Sequence, residues 1–98
     1  MLTVKSDLII SYLQRIDKTL LIVGSETCMI CKKLKPQLHD IQDKYPDITF
    51  VFMEGNKYTE SSDYLDITHF PTLIYFEGVV EKNRMIGSDI NKIIKLWK

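Results

Sequence analysis

The apolar residues of the chain follow two spacings, one typical of helices and one of short buried strands. Ser6 is the predicted N-cap of a first helix, whose apolar face consists of Leu8, Ile9, Tyr12, Leu13 and Ile16. A second helix is predicted to follow Cys28 and to end before Pro46, and its apolar face consists of Ile30, Leu34, Leu38 and Ile41. Pro36 lies inside this second helix, where it is expected to cause a kink.

Short apolar runs predict strands at residues 20–24, 48–53, 72–76 and 79–85. Glu77 and Gly78 form a two-residue hairpin signal between the last two. A short helix is predicted at residues 60–65. A last helix is predicted after Gly87 and Ser88, and its apolar face consists of Ile90, Ile93, Ile94 and Trp97. We expect Trp97 to pack, and we expect most other aromatic side chains to be core residues, namely Tyr58, Tyr64, Tyr75 and Phe76.

Alternating helices and strands favour a parallel sheet, and the final hairpin adds an antiparallel edge. We therefore predict an α/β fold with a central mixed sheet of about four strands and helices on both faces. Residues 1–5 would supply a fifth strand. The chain has 98 residues, and half of it would be too small to build a core of its own. Residues 1–98 are therefore predicted to form a single domain.

The composition is that of an ordinary globular chain, with 45% hydrophobic and 27% charged residues. Lys plus Arg and Asp plus Glu number 13 each, which argues against nucleic-acid or membrane partners attracted by net charge. The longest apolar run is residues 20–23, and no secretory signal is visible, so we expect a cytoplasmic protein. Without a Gly-rich phosphate loop or a dinucleotide fingerprint, no bound cofactor is predicted.

Cys28 and Cys31 are the only cysteines and form a C-x-x-C motif at a predicted strand-to-helix junction. Cys28 falls at the N-cap, where unpaired N–H groups and the helix dipole favour a thiolate. Cys31 lies one turn deeper on the same side and can reach the first sulfur. Lys32, Lys33 and Lys35 add positive charge, although we expect them mainly to form the solvated face of the helix, with thiolate tuning or partner contact as a secondary role. This arrangement suits a nucleophile and a resolving thiol.

Other interpretations of the cysteine pair remain open. A structural zinc site needs about four ligands. His39 lies about two turns down the helix, too far to share a metal with the sulfurs, which leaves only His69 to approach them. We expect no metal site, but a metal shared between two chains and a pair of inert cysteines are alternatives.

These residues resemble the thioredoxin superfamily. The resemblance covers about residues 18–98: an apolar strand leads into Cys28-x-x-Cys31-Lys32, Pro36 follows in the helix, and Ile-Thr-His-Phe-Pro-Thr-Leu occupies residues 67–73. It implies a thioredoxin-like fold and the activity of a protein thiol–disulfide oxidoreductase. Cys28 would attack a disulfide, and Cys31 would resolve the mixed disulfide.

The resemblance also implies how substrates bind. The proline that matches Pro71 is cis and packs beside the sulfurs in this family, and the residue before it, Phe70, offers its backbone to the substrate as an added strand. Thr72 and the Met29-Ile30 dipeptide complete the predicted substrate-binding residues. The implied partners are disulfide-containing proteins or low-molecular-weight thiols, with a separate reductase.

The chain departs from the family pattern at several positions. Thr27 replaces a Trp, Met29-Ile30 replaces Gly-Pro, Ile22 replaces a buried Asp, and the partner Lys of that Asp falls near Phe52. No general base for Cys31 is therefore evident. Glu54 is expected to form a surface ion pair rather than to reach inward.

These departures keep two alternatives open: a non-catalytic peptide-binding or adaptor module, and a dimer bridged by a metal on both cysteines of each chain. Because Met29-Ile30 brings no cationic imidazole to the thiolate, we expect a redox potential towards the reducing end of the family.

Overall fold

The computed structural model describes all 98 residues, with five strands and four helices. The strands are β1 (Leu2–Thr3), β2 (Lys18–Gly24), β3 (Thr49–Glu54), β4 (Thr72–Glu77) and β5 (Val80–Ile86). The helices are α1 (Ile9–Leu13), α2 (Met29–Gln42), α3 (Thr59–Tyr64) and α4 (Ile90–Ile94). None of the helices has the length and apolar character that a membrane crossing requires.

The five strands form one mixed sheet in the order β1-β3-β2-β4-β5. β1, β3 and β2 run parallel, whereas β4 is antiparallel to β2, and β5 is antiparallel to β4. The predicted mixed sheet is confirmed, and β1 supplies its fifth strand. Because β2 and β4 are antiparallel, Val23 near the end of β2 pairs with Thr72 at the start of β4. This pairing brings the segment before β4 to the edge where α2 begins.

Side chains of β2 alternate between two apolar clusters, one on each face of the sheet. Leu21 and Val23 belong to the cluster that includes α1 and the residues flanking α3, whereas Leu20 and Ile22 belong to the cluster that includes α2 and α4. Helices therefore cover both faces, as predicted. A strand that is buried on both sides reads as a continuous apolar run, which is how β2 appears in the sequence.

The start of α1 differs from the prediction. The helix begins at Ile9, Ser6 is not its N-cap, and Leu8 is 62% exposed instead of facing the core. The cause lies in α3: the Asp7 carboxylate accepts hydrogen bonds from the backbone N–H groups of Glu60 (3.0 Å) and Ser61 (2.7 Å). The Ser61 hydroxyl in turn accepts the N–H of Ile9 at 3.2 Å. The chain before α1 is thus held by another element.

Two other core assignments were wrong. Ile30 is 53% exposed and Tyr64 is 65% exposed. In α2 the residues that face the sheet are Cys31, Leu34 and Leu38, and Ile30 lies outside this stripe because each residue turns the helix by about 100°.

The remaining aromatic predictions are confirmed: Tyr58, Tyr75 and Phe76 are buried. Trp97 is half-buried, and its ring packs edge-on against Tyr45 and Phe50, at centroid distances of 5.1 and 5.8 Å.

Substitution in the first helical pattern tests these burial assignments. Leu13→Ala removes a fully buried side chain and is expected to lower the free energy of unfolding by about 2–5 kcal/mol. Leu8→Ala serves as the matched control, since an exposed site is expected to change stability by no more than about 0.5 kcal/mol. Urea unfolding of both variants measures the difference, and equal losses would contradict the placement of Leu8.

The contact between Asp7 and α3 makes stability depend on pH. The hydrogen bond with the Ser61 side chain, followed by those from the Ser61 and Glu60 amides, holds the pKa of Asp7 below its ordinary value of 3.8. A carboxylate with a lowered folded-state pKa stabilises the protein above the unfolded pKa, and this stabilisation is lost as the pH falls through the folded pKa.

We therefore expect Asp7→Asn to lower the unfolding midpoint at neutral pH and to approach the wild type below about pH 4. Asp40→Asn, at an exposed position of α2, controls for the loss of one negative charge. Thermal unfolding across this pH range measures both. A gap between Asp7→Asn and the wild type that stays constant with pH would contradict the role assigned to the carboxylate.

Candidate active site

The loop between β2 and α2 is fixed by side-chain hydrogen bonds. Ser25 is buried, and its hydroxyl bonds with the Thr27 hydroxyl at 3.0 Å and accepts the side-chain N–H of Asn56 at 3.0 Å. The two oxygens of Glu54 accept the backbone N–H groups of Glu26 (2.7 Å) and Asn56 (2.9 Å). Glu54 therefore holds two loops together and does not form the expected surface ion pair.

Cys28 is the N-cap of α2, as predicted. Its backbone is extended, with φ −86° and ψ 110°, and its sulfur accepts the N–H of Cys31 at 3.2 Å. This hydrogen bond serves one of the N–H groups that lack a partner in the first turn of a helix. The same donor and the positive end of the helix dipole would stabilise negative charge on this sulfur.

Cys28 and Cys31 are joined by a disulfide, with their Cα atoms 5.2 Å apart. Cys28 is half-buried, whereas Cys31 is only 4% exposed. The exposure difference favours Cys28 as the sulfur that an external disulfide meets first.

Gly24, at the end of β2, permits the close packing of Cys31. A Cβ atom on this glycine would lie 3.0 Å from the Cys31 sulfur and 3.1 Å from the Phe52 ring. The Cys31 sulfur therefore lies close to the backbone of β2, on the side of Gly24 where the Phe52 ring also lies. Residue spacing does not single out Gly24, although a glycine between a buried strand and a C-x-x-C motif is a signal of close backbone approach.

The Phe70–Pro71 peptide bond is cis, as the resemblance implied, and Pro71 is buried. The Phe70 ring packs on the backbone of Gly55, where a Cβ atom would lie 2.7 Å from Cζ of the ring. With its side chain turned inward, Phe70 leaves its backbone N–H and C=O outside every hydrogen bond of the fold.

The other predicted substrate-binding residues fall into two groups. Met29 and Ile30 are 64% and 53% exposed and directly follow Cys28. Thr72 is only 2% exposed, and its hydroxyl donates to the His69 carbonyl at 2.7 Å. Thr72 therefore shapes the turn before β4, whereas Met29 and Ile30 are free to touch a partner.

The positions of the missing family residues are apolar in the structure as well. Ile22 is 2% exposed, and Phe52 is half-buried beside the Cys31 sulfur. The ammonium group of Lys35 lies over the Phe52 ring, 4.0 Å from its centroid. Lys32 and Lys33, in contrast, are exposed.

Comparison with known proteins places these features in a family. The family model described as Thioredoxin matches residues 4–97. The thioredoxin of Mycoplasma genitalium is 35% identical over 71 residues, which cover 71% of this chain and 70% of that protein. The putative thioredoxin H10 of Arabidopsis thaliana is 24% identical over 68 residues, which cover 69% of this chain but only 44% of that longer protein.

Solved structures agree with the fold. Thioredoxin f2 of Chlamydomonas reinhardtii superimposes with a TM-score of 0.90 at 24% identity, covering 98% of this chain and 92% of that one. The oxidised mitochondrial thioredoxin 3 of Saccharomyces cerevisiae gives a TM-score of 0.89 at 19% identity, covering 97% and 91%.

The family match and the C-x-x-C pair together support a thiol–disulfide oxidoreductase and do not favour the adaptor or metal-bridged alternatives. The match extends over nearly the whole length, and the fold and the cis proline agree with it. The chain belongs to the thioredoxin family.

Proposed function

We propose that this protein reduces disulfide bonds in protein substrates, with Cys28 as the attacking sulfur and Cys31 as the resolving one. The observation that carries the proposal is the position of Cys28 at the N-cap of α2, with its sulfur accepting the Cys31 N–H and its partner thiol buried one turn further on. Hydrogen-bond donors and the positive end of a helix dipole favour the thiolate form of a cysteine, which is the form that attacks a disulfide.

In the first step, the Cys28 thiolate attacks one sulfur of the substrate disulfide. A bond forms between Cys28 and that sulfur, the substrate S–S bond breaks, and the second substrate sulfur leaves as a thiolate that takes a proton from water.

In the second step, Cys31 loses its proton and attacks the Cys28 sulfur. The Cys28–Cys31 bond forms, and the remaining substrate sulfur leaves as a thiolate. Two electrons have then passed from the dithiol to the substrate. A separate reductase, or a low-molecular-weight thiol, returns them. Such a reductant is available in the cytoplasm, and the cytoplasmic location stays a prediction.

Substrate recognition would use the segment before β4. The free N–H and C=O of Phe70 offer a pair of backbone hydrogen bonds to an extended substrate chain. The exposed side chains of Met29 and Ile30 add apolar contact beside Cys28. Backbone hydrogen bonds and apolar contacts depend little on the sequence of the substrate. Such low sequence specificity suits a protein that acts on many disulfides.

The order of attack can be tested by blocking the second step. Cys31→Ser is expected to accumulate a mixed disulfide on Cys28 when it is mixed with oxidised glutathione, because no resolving thiol remains. Cys28→Ser is the matched control and should form an adduct much more slowly, since Cys31 is buried. Mass spectrometry of acid-quenched samples follows both, and equally fast adducts on the two variants would reverse the assigned roles.

The redox equilibrium of the cysteine pair tests the direction of transfer. Because the dipeptide Met29-Ile30 carries no cation, we expect the cysteine pair to show a reversible two-electron transition. Its midpoint potential is expected at about −270 mV, towards the reducing end of the family. Protein equilibrated in graded glutathione buffers is acid-quenched, alkylated and weighed. A midpoint potential of about −120 mV would identify an oxidant instead.

A further inference from the structure

A cavity lies on the side of α2 that faces the β2–α2 loop and the end of β3. Its volume is about 700 Å³, and its wall includes Cys31, Lys35 and Phe52. Exposed residues such as Thr3 and Lys57 also line it, so it opens to solvent. This volume holds many water molecules, each of which occupies about 30 Å³ in the liquid. Cys31, shielded from the outer surface, therefore has a second side that water reaches.

Lys35 stands next to Cys31 on this side. The two residues are four apart in α2, a spacing that puts side chains on the same helix face with Cβ atoms about 5–6 Å apart. The Phe52 ring lies near both residues. It lies on the same side of Gly24 as the Cys31 sulfur, where a Cβ atom on the glycine would be 3.1 Å from the ring and 3.0 Å from the sulfur. The Lys35 ammonium lies 4.0 Å from the centroid of the ring. The cation–π contact keeps the ammonium near the sulfur instead of letting it extend into solvent.

Other charged and titratable groups of the cavity are placed differently. Glu54 has both oxygens engaged with backbone N–H groups of the loops. Glu26, Lys32 and Lys57 are exposed, and Tyr58 carries no cationic group. On the face of the sheet that α2 covers, Ile22 brings no charge. Lys35 is thus the one half-buried cation on the Cys31 side of the cavity.

We propose that Lys35 is a positioning residue that stabilises the thiolate of Cys31 and so accelerates the resolving step. The inference rests on the proposed function, because it concerns its second step. The Cys31 thiol gives its proton to water in the cavity, and the thiolate attacks the Cys28 sulfur. The Cys28–Cys31 bond forms as the bond from Cys28 to the substrate sulfur breaks, and the departing thiolate is protonated by water. Lys35 keeps its own proton throughout and contributes only its charge.

The resolving step can be observed alone with a coloured reporter. Reduced protein is treated at low pH with dithiobis(nitrobenzoate) to place nitrothiobenzoate on Cys28, and a pH jump in a stopped-flow mixer then starts attack by Cys31. Release of the coloured thiolate gives the rate at each pH. The test variant is Lys35→Met, which removes the charge but keeps an unbranched apolar side chain to pack on the Phe52 ring. Lys33→Met is the matched control, with the same loss of charge at an exposed position of α2.

We expect Lys35→Met to slow release by roughly three- to tenfold at neutral pH and to move the pH midpoint of the rate upward. The two rates should converge at high pH, where Cys31 is ionised in both proteins. Lys33→Met should stay within about twofold of wild type, the effect of a solvated charge. Lys35→Arg, which retains the charge, should restore most of the rate. Unfolding midpoints of the oxidised variants confirm that each is folded.

Three results would overturn the proposal. Equal rates for Lys35→Met and Lys33→Met, with rapid release by the wild type, would remove the role of Lys35 and leave the oxidoreductase function intact. The role of the charge would also be contradicted if Lys35→Met released the reporter slowly without a shift in the pH midpoint of the rate, and if Lys35→Arg were equally slow. The effect would then come from packing. A wild-type protein that never releases the reporter would contradict the proposed function itself.

Discussion

The burial of β2 between two apolar clusters is the constraint on which the rest of the structure depends. Its alternating side chains fasten one pair of helices to each face of the sheet, while β3 and β4 pair with its two edges. Because the strand must stop at the same edge where β4 begins, the loop that leads to α2 meets the segment before β4. The cysteine pair and the cis proline lie at the same edge of the sheet for this reason, although Cys31 and Pro71 are 40 positions apart in the chain.

The chemistry of the site depends on how differently the two sulfurs are surrounded. Cys28 sits at a helix N-terminus, where N–H groups and the dipole favour its charged form, and it remains accessible. Cys31 is packed against Gly24, near the Phe52 ring, in surroundings that disfavour a buried charge. The acid typical of the family is replaced here by Ile22, so the surroundings of Cys31 on the strand side are apolar. The solvent cavity beside Lys35 is the side from which water and a positive charge can stabilise the Cys31 thiolate.

The sequence predicted the parts of the fold that depend on local pattern. The continuous apolar run of β2, the hairpin at Gly78 and the N-cap position of Cys28 were all readable, because each follows from neighbouring residues alone. The start of α1 was not readable: Ser6 looked like a cap, but hydrogen bonds between Asp7 and α3 displaced the helix start. Tyr64 was predicted to be a core residue, but it is exposed, because it lies on the outward side of the short helix α3.

By itself the sequence determined the fold class, the C-x-x-C pair and the order in which strands and helices follow one another. These depend on hydrophobic periodicity and on residue spacing, which act over a few turns or a single strand. Only the tertiary structure decided that Glu54 joins two loops, that Gly24 admits the Cys31 sulfur, and that Lys35 lies over Phe52 beside a solvent cavity. Such contacts join residues distant in the chain, and their geometry is set by the packing of elements against each other, which no local pattern encodes.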